Sequence, residues 1–204
     1  VSRLLLVRHG QSTWNADGRW QGKADPPLSE LGVRQAEAVA AALAPASPAG
    51  YEIGALWTSP LARARGTAEI VGGLIGLDAV VDARLEERDA GEWTGLTRVE
   101  IEDAWPGYLA DHRRPPGFEP DQTLVVRALA ALDEIETGSR SETVLVITHA
   151  GVIRAVERHL GGASQPVPNL GGRELVRGAG GLELGDQVLL VDPAAVEVTT
   201  PRQI

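Results

Sequence analysis

The chain has 204 residues, 28 acidic side chains against 19 basic ones of which a single one is lysine, a net charge of −9, and neither cysteine nor methionine. That length suits one domain of about 100–200 residues, and the absence of cysteine excludes a disulfide framework, a thiolate nucleophile and a cysteine-ligated metal. The acidic excess argues against nucleic acid as a partner, no apolar run reaches the roughly 20 residues of a membrane span, and residues 1–7 are too few for a signal peptide, so a soluble, cytoplasmic protein is expected.

Residues 3–7 (RLLLV) read as a buried strand that ends at the polar run Arg8-His9-Gly10-Gln11-Ser12. A loop rich in Gly, Asp and Pro follows, and Ser29 then makes an N-cap for a helix through Ala36, Val39 and Leu43 that ends near Pro45. A second strand is expected at 54–57. Ser59 is placed to cap the next helix, with Pro60 at its first position and its end near Leu74. A short strand at 79–81 comes next. Residues 88–120 change character, with Trp93, Trp105, Tyr108, Phe118, four prolines and a weak helix near 97–104. So many large aromatics suit a capping insertion over a site better than a linker. Asp121 is placed to cap an amphipathic helix with Val125, Ala128, Leu129, Leu132 and Ile135 on one face and Gly138 just past its end. Residues 143–147 (TVLVI) form a buried strand that breaks at Thr148-His149-Ala150-Gly151 into a further helix, and two antiparallel edge strands are expected near 174–177 and 188–191.

Strands alternating with helices, and strands that are continuously apolar, predict an α/β fold. The expected architecture is a three-layer α/β/α domain spanning 1–204, with a mostly parallel central sheet and a small cap insertion at about 88–120. Ligands of such sheets sit outside the carboxyl ends of the strands. RLLLV and TVLVI each deliver a histidine, His9 and His149, within two residues of that end. One histidine after a strand is ordinarily a packing residue, whereas two at equivalent ends can meet. Arg8 beside His9, Arg63 in the first turn of a helix, and helix N-termini after Gly10, Ser59 and His149 add donors at the same edge. Such a set favours an oxyanion of several charges, and phosphate fits best. His112 and His159 read as solvated, and scattered histidines with no close pair do not make a metal site.

Taken together, Leu6-Val7-Arg8-His9-Gly10-Gln11 with Trp14-Asn15 and Gln21-Gly22, Thr58-Ser59-Pro60-Leu61-Ala62-Arg63-Ala64, Leu85-Glu86-Glu87-Arg88 running to Gly91-Glu92-Trp93, and Thr148-His149-Ala150-Gly151 resemble, in order, the motifs of the histidine phosphatase (phosphoglycerate-mutase-like) superfamily. Gln11 stands where glutamate is commoner and Ala150 where glycine is usual. The resemblance implies that His9 is the nucleophile that becomes phosphohistidine. Arg8, Arg63 and His149 would hold phosphoryl oxygens, Asn15 and Gln21 would add polar contacts, and Glu87 would be the general acid, with Glu86 beside it as the alternative. It implies no metal and no cofactor. Cationic neighbours disfavour imidazolium, which keeps His9 in the neutral form that can attack, and a general acid supplies about 10²–10⁴ of the rate.

Trp20-Gln21-Gly22 resembles the phosphatase branch, which makes the expected activity hydrolysis of a small phosphorylated metabolite. A cofactor-dependent phosphoglycerate mutase is the alternative, since Arg98, Arg113 and Arg114 in the cap resemble cations that grip a carboxylate there, although a solvated loop explains them equally well. A catalytically silent phospho-ligand binder is the third reading, opposed by the presence of all five core residues. A monomer or weak homodimer is expected.

Overall fold

The computed structural model describes residues 3–43, 51–163 and 165–201. Six strands, β1 (Arg3–Arg8), β2 (Ala55–Thr58), β3 (Ala79–Val81), β4 (Thr143–Thr148), β5 (Gly171–Gly178) and β6 (Gly181–Leu189), form one sheet in the order β3-β2-β4-β1-β5-β6. The first four in that order run parallel, while β5 is antiparallel to β1 and β6 to β5. Six helices accompany them: α1 (Thr13–Ala16), α2 (Glu30–Leu43), α3 (Ala62–Ile75), α4 (Arg98–Ala104), α5 (Asp121–Gly138) and α6 (Ala150–His159).

The continuous apolar runs of β1 and β4 follow from burial on both faces. Side chains alternate across a strand, so Leu4, Leu6, Val144 and Val146 meet Leu124, Ala128, Leu132 and Ile135 of α5 and Val152, Ile153 and Val156 of α6. On the other face Leu5, Val7, Leu145 and Ile147 meet Val39 and Ala40 of α2 and Ala64, Ala68 and Val71 of α3. These two cores make the three layers. A third, smaller core holds the aromatic residues of the 88–120 segment: Trp20, Ala90, Trp93 and Ile101 are buried, with Trp105, Tyr108 and Phe118 packed on them.

Register positions the site. Arg8 pairs with Thr148 across β1 and β4, and Thr58 pairs with Ile147 across β2 and β4. The residues just beyond these pairs, His9, His149 and Ser59, therefore emerge side by side at one sheet edge. His9 N–H donates to the Thr148 carbonyl at 3.0 Å and Ser59 N–H to the Ile147 carbonyl at 3.1 Å, which extends the ladder to them.

Several local expectations are corrected. Helix α3 begins at Ala62 with Leu61 as its N-cap, so Pro60 lies outside it. The Ser59 hydroxyl is engaged elsewhere, and the first-turn amide of Ala62 is met instead by the carboxylate of Asp25, reaching in from the loop before α2. Asp121 is the first residue of α5 rather than its cap, and Gly138 is its last. Ser29 does close α2, its hydroxyl accepting from Gly32 N–H at 3.0 Å; the expected end near Pro45 lies outside the described residues. Strands β5 and β6 are longer and earlier than expected, and β5 is interior, paired with β1 on one side and β6 on the other. Its Gly-rich sequence, GGRELVRG, carries little apolar signal because Gly172 lets the backbone lie directly against the Leu6 carbonyl. Among the described residues no helix is long and apolar enough to cross a membrane.

Candidate active site

The rings of His9 and His149 meet edge to face with centroids 5.1 Å apart. His9 Nδ1 lies 2.6 Å from the carbonyl oxygen of Gly10, which fixes the proton there and leaves the Nε2 lone pair outward. Arg63, entirely buried, aims Nε at that lone pair from 3.2 Å. Nη1 and Nη2 each donate to a backbone carbonyl, of Ala24 at 2.8 Å and of Gly22 at 2.9 Å, so a loop wraps the guanidinium and holds it in place. Arg8, the last residue of β1, donates from Nη1 to the Val167 carbonyl at 2.7 Å. Two buried nitrogens at this spot, Arg8 Nε and His149 Nδ1, have no hydrogen-bond partner. Unpaired buried polar atoms are rare in native proteins and ask for an explanation. An oxyanion between these two would give both a partner.

The electrostatics point the same way. Burial, then the charges of Arg63 and Arg8, hold His9 well below the usual histidine range, with the Gly10 hydrogen bond opposing them. Burial, Arg63, His9 and Arg8 do the same to His149. Both rings are therefore neutral near pH 7. Burial also pushes Arg8 down to about 9 and Arg63 to about 10, against the pull of Glu87 on each, and both remain cationic at neutral pH. The result is a buried positive centre around a neutral imidazole with an exposed lone pair.

A cavity of about 240 Å³ opens over this centre, lined by Arg8, His9, Gln21, Gly22, Glu87, Ala150, Arg154, Pro166, Val167 and Pro201. Glu87 stands in its wall, 5% exposed, with Oε1 accepting from Arg88 N–H at 2.7 Å and Oε2 from Gly151 N–H at 3.1 Å. A Cβ on Gly151 would overlap that carboxylate, so the glycine at this place lets α6 approach Glu87. Glu86 faces away and pairs with Lys23 at 3.0 Å, which separates the two adjacent carboxylates that sequence leaves ambiguous. Gln21 reaches the cavity and spends its carbonyl oxygen on the Ser12 hydroxyl at 2.6 Å, leaving its amide N–H groups to offer a ligand. Asn15 is buried but does not line the cavity; its carbonyl oxygen completes the capping box of α1 with Ser12.

The cap residues divide. Arg114 lines a second recess of about 170 Å³ with Arg88, Phe118, Asp121, Gly151, Arg154 and Arg158, and Arg154 is common to both recesses. Asp121 pairs there with Arg88 at 2.6 Å and Arg158 at 2.9 Å, a single carboxylate among four arginines. Arg98 and Arg113 are not brought to either recess. Arg98 is exposed in the first turn of α4, which the capping box of Thr97 and Glu100 closes. Arg113 stacks on Tyr108 at 4.1 Å and pairs with Asp111 at 3.2 Å. Most of the cap's aromatic side chains pack on one another rather than roofing the cavity over His9.

Comparison with known proteins settles the relationship. The model of the histidine phosphatase superfamily, branch 1, matches residues 4–170. The chain belongs to that superfamily. It is 35% identical over 181 residues to a glucosyl-3-phosphoglycerate phosphatase of Mycolicibacterium vanbaalenii, covering 83% of this chain and 77% of that one. It is 34% identical to a metal-independent phosphoserine phosphatase of Arabidopsis thaliana, covering 94% and 80%. The solved structure of a mycobacterial glucosyl-3-phosphoglycerate phosphatase complexed with VO3 superposes with a TM-score of 0.79 at 28% identity, covering 93% of this chain and 98% of that one. Relatives from Mycobacterium bovis and Mycobacterium tuberculosis match at 38% identity, and the chain spans 43% of their length.

Several residues of this histidine phosphatase site escaped sequence reasoning. Arg127 of α5 donates to the carbonyls of Arg84, Glu86 and Glu87 and forks onto Glu119, which shapes the turn that presents the Glu87 carboxylate. Asn169 donates to the His9 carbonyl at 2.9 Å and accepts from the Thr199 hydroxyl at 2.7 Å, tying the last described stretch to His9. Arg154 belongs to none of the four motifs. Its place five residues after His149, one and a half turns along a helix that starts at the site, is the signal that could have found it.

Proposed function

We propose that this chain is a metal-independent phosphomonoesterase that works through a phosphohistidine on His9. The His9 Nε2 lone pair attacks phosphorus while the bond to the leaving oxygen breaks, and Glu87 gives that oxygen its proton. Water then attacks the phosphohistidine and gives a proton to Glu87, the N–P bond breaks, and phosphate leaves with His9 and Glu87 restored. Arg8 and His149 turn their unpartnered nitrogens to phosphoryl oxygens, and Arg63 Nε moves its hydrogen bond from His9 to a third. Preorganised charge of this kind is worth most where water is excluded, and phosphoryl transfer depends on it more than on covalent help from the protein. The observation that carries the reading is the β1–β4 register, which sets two neutral histidines against two buried arginines with two polar nitrogens left over.

The substrate is a small phosphorylated metabolite with a second anionic group, a carboxylate or a further phosphate. Arg154 at the junction of the two recesses, with Arg114 and Arg88 beyond it, supports this. The relatives named for glucosyl-3-phosphoglycerate and phosphoserine, both carboxylates, are in keeping with it. The same reading takes the protein as a cytoplasmic monomer or weak homodimer without nucleic-acid or membrane partners, supported by its net charge of −9 and cysteine-free chain; light scattering across a concentration series checks the oligomeric state.

The test is phosphate release from a panel of phosphomonoesters, including 3-phosphoglycerate and phosphoserine, in excess chelator. Release that survives chelator and vanishes in His9→Ala is expected. No release from any ester, with exchange between 2- and 3-phosphoglycerate instead, would replace hydrolysis by the mutase reaction.

A further inference from the structure

Ser59 follows β2 as His149 follows β4, and the parallel register of those strands sets them side by side. Both are wholly buried. Ser59 Oγ lies 2.8 Å from His149 Nε2 and also accepts the amide N–H of Leu61 at 3.3 Å. A hydroxyl has one proton. With the Leu61 amide occupying a lone pair, the imidazole nitrogen is the acceptor the structure gives to that proton. His149 Nε2 then carries the lone pair, and the proton of the neutral ring belongs on Nδ1, the nitrogen without a partner. The opposite tautomer would leave the Ser59 proton without an acceptor and turn a lone pair at Nδ1 toward an incoming anion.

We propose that Ser59 is a positioning residue that holds His149 in its Nδ1–H tautomer, so that a neutral imidazole donates to a phosphoryl oxygen. Second-sphere partners fix the tautomer of metal-bound histidines in the same way, and the partner here is a hydroxyl because the ring must donate without becoming charged beside Arg8 and Arg63. The role in turnover rests on the phosphatase reading above; the tautomer does not.

Long-range proton–nitrogen correlation spectra of ¹⁵N-histidine-labelled protein test the two separately. In the wild type His149 should show a pyrrole-like Nδ1 and a pyridine-like Nε2. Ser59→Ala should mix or reverse them and lower kcat for phosphoester hydrolysis about tenfold, the scale of one lost hydrogen bond to the reacting group, while Ser59→Thr restores both. A protonated Nε2 in the wild-type spectrum overturns the proposal, as does an unchanged spectrum and kcat in Ser59→Ala. The expected tautomer in a protein that hydrolyses no phosphoester would support the Ser59–His149 assignment and count against the phosphatase reading alone.

Discussion

Around His9, each group that would touch phosphate is a strand end, the residue after one, or a side chain wrapped by backbone carbonyls, and each is buried. Around Arg114 the construction is different. Of its cations only Arg88 is buried; Arg114 of the 88–120 segment and Arg154 and Arg158 of α6 are partly open or exposed, with Arg114 stacked on Phe118 and Arg88 and Arg158 paired with Asp121. The first region draws its precision from sheet register, which a one-residue slip would destroy. The second draws on long side chains over a small aromatic core and on one face of α6. On the proposed function, the difference amounts to a division of labour: the reaction would belong to the sheet edge, and the choice of substrate to the 88–120 segment and α6.

Substitutions at the sheet edge should therefore cost far more than substitutions in the cap. Arg63→Ala should lower kcat/KM about 10²–10³-fold for every ester, the usual loss when one preorganised donor to a developing charge is removed, with a circular dichroism spectrum like the wild type's. Glu87→Gln should slow esters with poor leaving groups by about 10²–10⁴ and nitrophenyl phosphate much less, since a good leaving group needs little protonation. Glu86→Gln should change neither; the leaving-group pattern appearing there instead would reverse the assignment of the acid.

The cap half of the comparison is sharpened by Arg154→Ala and Arg114→Ala. Each should raise KM about tenfold for phosphoesters that carry a carboxylate, the scale of one charge-assisted hydrogen bond, and leave nitrophenyl phosphate within about twofold. Equal losses on both kinds of ester would place these arginines in the reaction itself. Arg98→Ala and Arg113→Ala, at exposed positions outside both recesses, should have the smallest effect, within about twofold on any substrate.

Buried neutral histidines also give the sheet edge a pH signature. Their folded pKa values lie below the unfolded value of about 6.5, so below that pH the unfolded chain binds more protons than the folded one. Stability should then fall as pH drops from about 6.5, by up to about 1.4 kcal/mol per pH unit for each ring. Denaturant titrations at pH 7 and 5.5 measure it, and a His9→Gln, His149→Gln double variant should remove much of the difference. The acid limb of kcat/KM that reports His9 should likewise lie below pH 6.5.

Much of this site was legible in the chain because it is local to strands. RLLLV and TVLVI announce buried strands, and a histidine just past each can be placed before any coordinate is known. What was not legible depends on contacts distant in sequence. Asp25 caps α3 from another loop, leaving Ser59 to His149, and no local pattern says so. Strand β5 joins the interior of the sheet on a Gly-rich sequence whose value lies in close backbone approach rather than hydrophobicity. Pro201 reaches the cavity wall, and Thr199 the Asn169 that holds His9, only because the chain's last described stretch folds back across the site. The aromatic character of residues 88–120 was legible and forms a small core of its own, but which of its arginines line the recess was not: Arg98 sits in the exposed first turn of α4, and Arg113 is held on Tyr108.

The most direct measurement is to trap the phosphoenzyme. Rapid acid-free quenching of a reaction with nitrophenyl phosphate, followed by peptide mapping, should find an acid-labile, alkali-stable phosphoryl group on His9 and none in His9→Ala. A phosphoryl group on any other residue, or turnover that persists in His9→Ala, would contradict the account.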